Sequence, residues 1–185
     1  MQSELTFHNI VDGISALVAV LTPDGAVEFV NQQVLDYFGK TLEELKGWAS
    51  TDAVHPDDLP NVVDLFKRAL ESGRPYDVEL RQRGADGVYR WFHVQGLPVR
   101  APDGRILRWC VLQTDIDERR RAEGLLAGEN LVLEMTAKGS SLESILKALC
   151  RIVEQTASGC RCSALLFDLS GSTVQQAVAP SLPSS

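Results

Sequence analysis

The sequence is short of most residues that carry catalysis. It has three histidines, His8, His55 and His93, and no two stand four apart on a helix face, so a zinc or iron site has no support. Its four cysteines, Cys110, Cys150, Cys160 and Cys162, fit no C-x-x-C spacing. Cys160-Arg161-Cys162 also sets its thiols too close for an ordinary structural zinc site, which leaves buried, reduced thiols as the reading. No G-x-S-x-G elbow, phosphate-cradling glycine loop or kinase signature set occurs, so no catalytic site and no enzyme activity is expected of this chain. Long apolar runs are missing too. The longest, Ala16 to Leu21, is six residues, against the about 20 that a membrane span requires. Residues 1–10 lack signal-peptide architecture, so a cytoplasmic location with no membrane span is expected. Basic charge is in deficit, with 18 Lys and Arg against 25 Asp and Glu and a net charge of -7. A phosphate backbone calls for the opposite balance, which argues against nucleic acid as a partner. The one basic run, Arg119-Arg120-Arg121, falls at a helix start and reads as a solvated face.

What is present is an ordinary globular composition, 44% hydrophobic and 23% charged over 185 residues, long enough for one well-buried domain and an appendage. The pattern centres on residues 84–121. Residues 88–99 and 105–113 read as two antiparallel strands joined by Ala101-Pro102-Asp103-Gly104, where proline presets the turn and glycine supplies its left-handed residue. Both strands are apolar on both faces. Val88, Phe92 and Val94 alternate with Tyr89, Trp91 and Leu97, and Ile106, Cys110 and Leu112 alternate with Leu107, Trp109 and Val111. One face must cover this domain's core, and something else must cover the other. The second strand leads straight into a helix, with Asp115 as N-cap and Glu118 three residues on to close a capping box.

The preceding chain supplies the rest of the sheet. Residues 14–21 and 26–30 read as a hairpin about Thr22-Pro23-Asp24-Gly25. Asn31 is placed to cap a helix through Phe38 that Gly39 stops, and Thr41-Leu42-Glu43-Glu44 is a capping box for a second short helix. A turn-rich stretch from Trp48 to Asp58 delivers the chain to a third helix. Leu59, Val62, Val63, Phe66, Ala69 and Leu70 form its apolar stripe. Tyr76, Val78 and Leu80 then mark a half-buried strand that turns at Gly84-Ala85-Asp86-Gly87. Strands flanking a run of helices predict an α+β domain, a five-stranded antiparallel sheet with short helices on one face. Residues 1–13 read as a short amphipathic lid helix for the other face, carrying Leu5, Phe7, Ile10 and Val11.

Beyond Glu118, Leu125-Leu126 and Val132-Leu133 recur seven residues apart, as a two-helix seam requires, while Gly124 and Gly128 weaken that helix by about 1 kcal/mol each. Ser140-Ser141-Leu142-Glu143 opens a further helix with a stripe of Leu142, Ile145, Leu146, Leu149, Ile152 and Val153. Residues 163–169 and 173–179 follow as a hairpin.

The ordered set D-G-x-Y-R-W-F, P-V-R-x-x-D-G-R and D-I-D-E-R, with the earlier G-W and V-H-P-D-D, resembles a PAS domain of the S-box type over residues 14–116. The PAS family is a sensory fold of bacterial signalling proteins. The later run L-E-S-I-L-K-A-L-C-R-I-V-E, with C-S-A-L-L-F-D and A-P-S-L-P, resembles the start of a GAF domain, another sensory fold, cut short at residue 185. These resemblances imply a lid at 1–13, a PAS domain at 14–116, a signalling linker helix at 117–139 and a truncated GAF-like start at 140–185. They further imply a sensory and dimerisation module whose output domain, a histidine kinase or a diguanylate cyclase, lies outside this chain. A fragment of an enzyme, the sensor kinase itself, and a ligand-free interaction scaffold are the alternatives.

A small-molecule pocket is then expected between the helices and the sheet, with Phe38, Trp48, Phe66, Trp91 and Trp109 as candidate ligand-binding residues, and a homodimer formed through the outer sheet face. Asp115, Ile116, Asp117, Glu118 and Arg119 are the expected signal relay. The cofactor stays open. Covalent flavin photosensors of this family need a cysteine ahead of the long helix, and none precedes Trp109. Haem sensors usually place a histidine on the long helix, and residues 59–71 have none. Trp48 and Trp91 read either as stacking partners for a non-covalent flavin or as plain core.

Overall fold

The computed structural model describes residues 11–156, 160–167 and 174–181. It divides into two compact units, residues 1–117 and 118–185.

In the first unit, β1 (Leu17–Leu21) and β2 (Val27–Val30) form the opening hairpin. The helices α1 (Gln32–Phe38), α2 (Leu42–Leu45) and α3 (Leu59–Ser72) follow, then β3 (Tyr76–Arg83), β4 (Tyr89–Arg100) and β5 (Ile106–Asp115). The five strands make one antiparallel sheet in the order β2-β1-β5-β4-β3. The α+β architecture expected from the residue pattern is therefore the observed one. Each of the three hairpin turns closes on a left-handed glycine, Gly25, Gly87 and Gly104, whose N–H donates back to the carbonyl three residues earlier. The helix ends follow the same local logic. Asn31 caps α1, Thr41 and Glu44 form the full capping box of α2, and Gly39 and Gly73 terminate α1 and α3 in left-handed conformation.

Asn31 does more than cap. Fully buried, it accepts hydrogen bonds through Oδ1 from the N–H groups of Val18 and Val34, and its Nδ2 donates to the carbonyls of Val11 and Ala16. One side chain thus satisfies four backbone groups from three segments, which ties the start of β1 to the start of α1. Of the expected lid, residues 1–10 lie outside the described residues, and Val11 is buried.

The stretch from Trp48 to Asp58 is not only a connector. The N–H of His55 donates to Arg81 and that of Arg83 to the carbonyl of Ala53, with a bridge between Val54 and Gln82. The exposed edge of β3 is thereby covered by the chain's own backbone. Asp58 stands at the N-cap position of α3 but makes no capping bond. Its carboxylate instead takes both ends of the Arg81 guanidinium, at 3.0 and 2.7 Å, and the Arg81 N–H as well.

In the second unit, α4 (Asp117–Ala137) and α5 (Leu142–Thr156) are followed by β6 (Ala164–Phe167) and β7 (Val174–Val178), a two-stranded antiparallel sheet. Residues 168–173, between the two strands expected there, lie outside the described residues. Gly128, which by propensity only weakens α4, is where Ile152 of α5 approaches: a Cβ there would lie 2.5 Å from its Cγ2. Leu125, Leu126, Leu131 and Leu133 of α4 are exposed, as are Leu149 and Val153 on the α5 stripe.

Candidate functional site

Register decides which side chains face inward. On β4 the even positions Phe92 and Val94 are buried, on β5 the odd positions Trp109, Val111 and Gln113, and on β1 the residues opposite them, Leu17, Ala19 and Leu21. Between this face and the three helices lies a cavity of about 110 Å³. Ala19, Leu21, Leu80, Val94 and Val111 form its sheet wall, and Val34, Phe38, Leu45, Val62 and Phe66 its helical wall. Trp48, from the short 3-10 turn Trp48–Ser50, closes one side and meets Phe66 edge to face at 5.8 Å.

Phe66 in turn meets Tyr76 at 5.9 Å, and Tyr76 lies 6.2 Å from Trp109. The Tyr76 ring lies over Gly96, its partner across β3 and β4, where any Cβ would fall 1.9 Å from the ring. That explains a glycine in the middle of the longest strand. Burial pushes the Tyr76 phenol up, and the Tyr37 phenol, which donates to the Gln82 carbonyl, up to about 12.

The cavity brings together three of the five candidate residues, Phe38, Trp48 and Phe66. Trp109 is on the inner face and wholly buried, but in the packed core behind Tyr76 rather than in the cavity wall. Trp91 belongs elsewhere. It follows the odd positions of β4 onto the outer face, with the Arg81 guanidinium 5.3 Å above its ring. The cavity therefore lies against the two strands that carry the tryptophans, through Val94 and Val111, but the candidates Trp91 and Trp109 are not in its wall, and Trp48 and Trp91, on opposite faces, cannot stack on one flavin ring.

Two residues in the wall escaped the reading by residue pattern. Gln82 of β3 and Gln113 of β5, 5% and 8% exposed, sit among the apolar lining, joined by a 2.6 Å bond from Gln82 Nε2 to Gln113 Oε1. The one available signal was a polar residue at each strand's inward parity. Of the described histidines, His55 packs on Tyr89 and His93 binds Asp77 at 2.7 Å. Neither lines the cavity.

At the exit, β5 passes into α4 through Ile116, which is buried. The Ile116 N–H donates to the Trp91 carbonyl at 2.9 Å, and Asp117 Oδ1 accepts from the Trp91 N–H at 3.2 Å. Asp115 Oδ1 accepts from the Asp117 N–H, two residues on. Asp115 thus meets the first N–H of the helix, but with the helix beginning at Asp117 the N-cap position falls to Ile116 rather than to the expected Asp115, and the second acid of the junction, Asp117, reaches back to β4.

A twisted five-stranded antiparallel sheet whose one face and short helices enclose a cavity, with the last strand running into a helix, defines a sensory α+β domain. Residues 27–112 match the model of the PAS fold family, and the N-terminal unit is a PAS domain, with the sensory role in signal transduction that this class carries. The chain is similar to a methyl sulfide methyltransferase-associated sensor of Methanosarcina acetivorans, 32% identical over 164 residues, 87% of this chain and 16% of that protein. It is similar also to the peroxide stress-activated histidine kinase mak1 of Schizosaccharomyces pombe, 31% identical over 145 residues, 78% of this chain and 9% of the kinase. Among solved structures it resembles a sensory box histidine kinase/response regulator from Burkholderia thailandensis, 28% identical with a TM-score of 0.51, over 69% of this chain and 97% of that one. The chain thus spans a small part of the curated relatives' length. No helix among the described residues is long and apolar enough to cross a membrane.

Proposed function

We propose that this PAS domain senses through the cavity and relays the signal to α4 through Asp115, Ile116, Asp117, Glu118 and Arg119. The observation that carries this reading is the grip on Trp91. Both backbone polar groups of that residue are held by the first residues of the exit, Ile116 and Asp117. Three positions along the same strand, Val94 is part of the cavity wall. A repacking around Val94 therefore displaces the backbone that holds the helix start, with no loop in between to absorb it.

The finer organisation follows from this reading: a lid at 1–13, the PAS domain at 14–116, a linker helix at 117–139 and a truncated GAF-like start at 140–185. The exposed stripe of α5 and the small β6-β7 sheet support that last assignment, since both await a larger sheet. The parent protein is a cytoplasmic sensor with a histidine kinase output, which the names of two of the relatives support, or, second, a diguanylate cyclase output. The domain pairs as a homodimer through the outer sheet face, where Leu97 and Val99 are exposed at 53% and 48%.

Xenon, which enters apolar cavities, tests the relay. In amide-resolved NMR under xenon pressure, resonances of Val94 and Val111 are expected to shift, and with them those of Trp91 and Asp117. Shifts that stop at the lining residues would remove the relay. Sedimentation at tens of micromolar should give a dimer that Leu97→Glu dissociates, and a monomer throughout would remove the pairing.

A further inference from the structure

The cavity wall contains no carboxylate, amine, guanidinium or imidazole, its one ionisable group being the Tyr76 phenol, and among the described residues it has one buried side-chain polar atom without a partner. Its lining is aliphatic and aromatic apart from Gln82 and Gln113. Gln82 is pinned on three sides: its Nε2 donates to Gln113, its carbonyl accepts from Tyr37, and its backbone bridges Val54. Its Oε1, buried, has no hydrogen-bond partner. A buried acceptor in an apolar wall is costly to leave unmet, and native interiors seldom do so.

We propose, building on the sensory reading, that the cavity takes a small neutral organic molecule of no more than one ring, which donates an N–H or O–H hydrogen bond to Gln82 Oε1. Size sets the first limit. The cavity, about 110 Å³, is smaller than the apolar cavity of about 150 Å³ that holds benzene in a well-studied lysozyme variant. Such a space suits a single ring better than a fused-ring flavin or a haem. Charge sets the second. No lining residue can pair with an ion, so a carboxylate or ammonium would enter without a counter-charge. The aromatic edges of Trp48, Phe66 and Phe38 favour a flat ring. The polar handle sets the third: with Gln82 Nε2 committed to Gln113, the free atom is an acceptor, and the ligand must bring the proton.

Phenol, benzene, benzoate and riboflavin, each titrated into the full chain by calorimetry, separate these limits. Phenol is expected to bind saturably, about tenfold tighter than benzene, the scale of one buried hydrogen bond, while benzoate and riboflavin do not bind. Phenol should shift the side-chain amide resonances of Gln82. In Gln82→Met the preference of phenol over benzene is expected to vanish while benzene binding persists. The comparison within the unaltered chain needs no variant, so it decides even if Gln82→Met does not fold. Equal affinity for phenol and benzene, binding of benzoate or riboflavin in place of phenol, or no binding by any of the four would each overturn the proposal. The sensory reading is judged separately, on whether xenon in the cavity reaches Trp91 and Asp117.

Discussion

The carboxylate of Asp117, the first residue of the exit helix, accepts a hydrogen bond at 3.2 Å from the backbone N–H of Trp91, 26 residues earlier on β4, the strand between β5 and the edge strand β3. Together with the Ile116 bond to the Trp91 carbonyl, it makes the helix start part of the sheet's hydrogen-bonding scheme. The junction residues Ile116 and Asp117 are therefore tied to β4 and not to β5 alone.

Removing that acceptor should loosen the exit before it loosens the domain. Asp117→Ala is expected to cost about 1–3 kcal/mol, the range for leaving a buried donor unmet, with faster amide exchange at Trp91 and through the first turn of α4. Asp117→Asn, which keeps an acceptor oxygen, should recover most of the loss. Unchanged exchange at Trp91 in Asp117→Ala would show that the bond does not hold the junction.

The tryptophans should separate sharply on truncation. Trp109, with no exposed surface, is expected to cost about 3–5 kcal/mol as Trp109→Ala, the range for a large buried aromatic. Trp91→Ala gives up an outer-face contact with Arg81 and should cost about 1 kcal/mol, near the scale of a cation–π pair. Urea denaturation of the two variants compares them directly, and equal losses would contradict the assignment of faces.

Acid should destabilise the N-terminal unit over a defined window. Burial raises the Asp58 pKa, but the Arg81 side chain and N–H outweigh it and hold the carboxyl below its ordinary 3.8. The Arg90 guanidinium holds Asp86 down to about 2, and Asp52, beside Arg83 and Lys40, is likewise lowered. Folded carboxyls thus bind protons less readily than unfolded ones, so the unfolded state takes up more protons as pH falls. Their contribution is complete above about pH 4 and is lost on the way down to about pH 2. Urea midpoints measured across that window should fall, and Asp58→Asn should flatten the fall.

The second unit should prove the weaker one. Its sheet is a lone two-stranded hairpin, which is marginal by itself in water, and Leu165, Phe167 and Val174 on it are exposed. Limited proteolysis is expected to cut first between Gly124 and Gly139 and to leave a protected fragment that contains the five-stranded sheet. Amides of β6 and β7 that exchange as slowly as those of β4 and β5 would show instead that the tail has a core of its own.

Much of the fold was legible in the residues because its boundaries are written locally. Asn31, the Thr41–Glu44 box and the glycines closing the turns act over two to four positions, and such bonds depend on little beyond neighbouring residues. Alternation likewise marked β3, β4 and β5, and two of the candidate cavity residues, Phe38 and Phe66, follow from helices whose apolar stripes have only one sheet face to meet. Where two strands are apolar on both faces, however, alternation cannot say which face is inner, and Trp91 and Trp109 look alike in sequence. Register across β4 and β5 decided between them. The same holds for the longer reaches: Asp58 turning from its helix to Arg81, 23 residues away, Asn31 bonding back to Val18, and Gln82 meeting Gln113 across 31 residues. Each is a choice among partners that only the packed sheet brings within hydrogen-bonding distance. The sequence by itself determined the elements and their order, because those rest on short-range chemistry; the tertiary structure alone decided the inner face, the polar pair in the cavity and the grip on the exit helix, because those rest on which distant strands lie side by side.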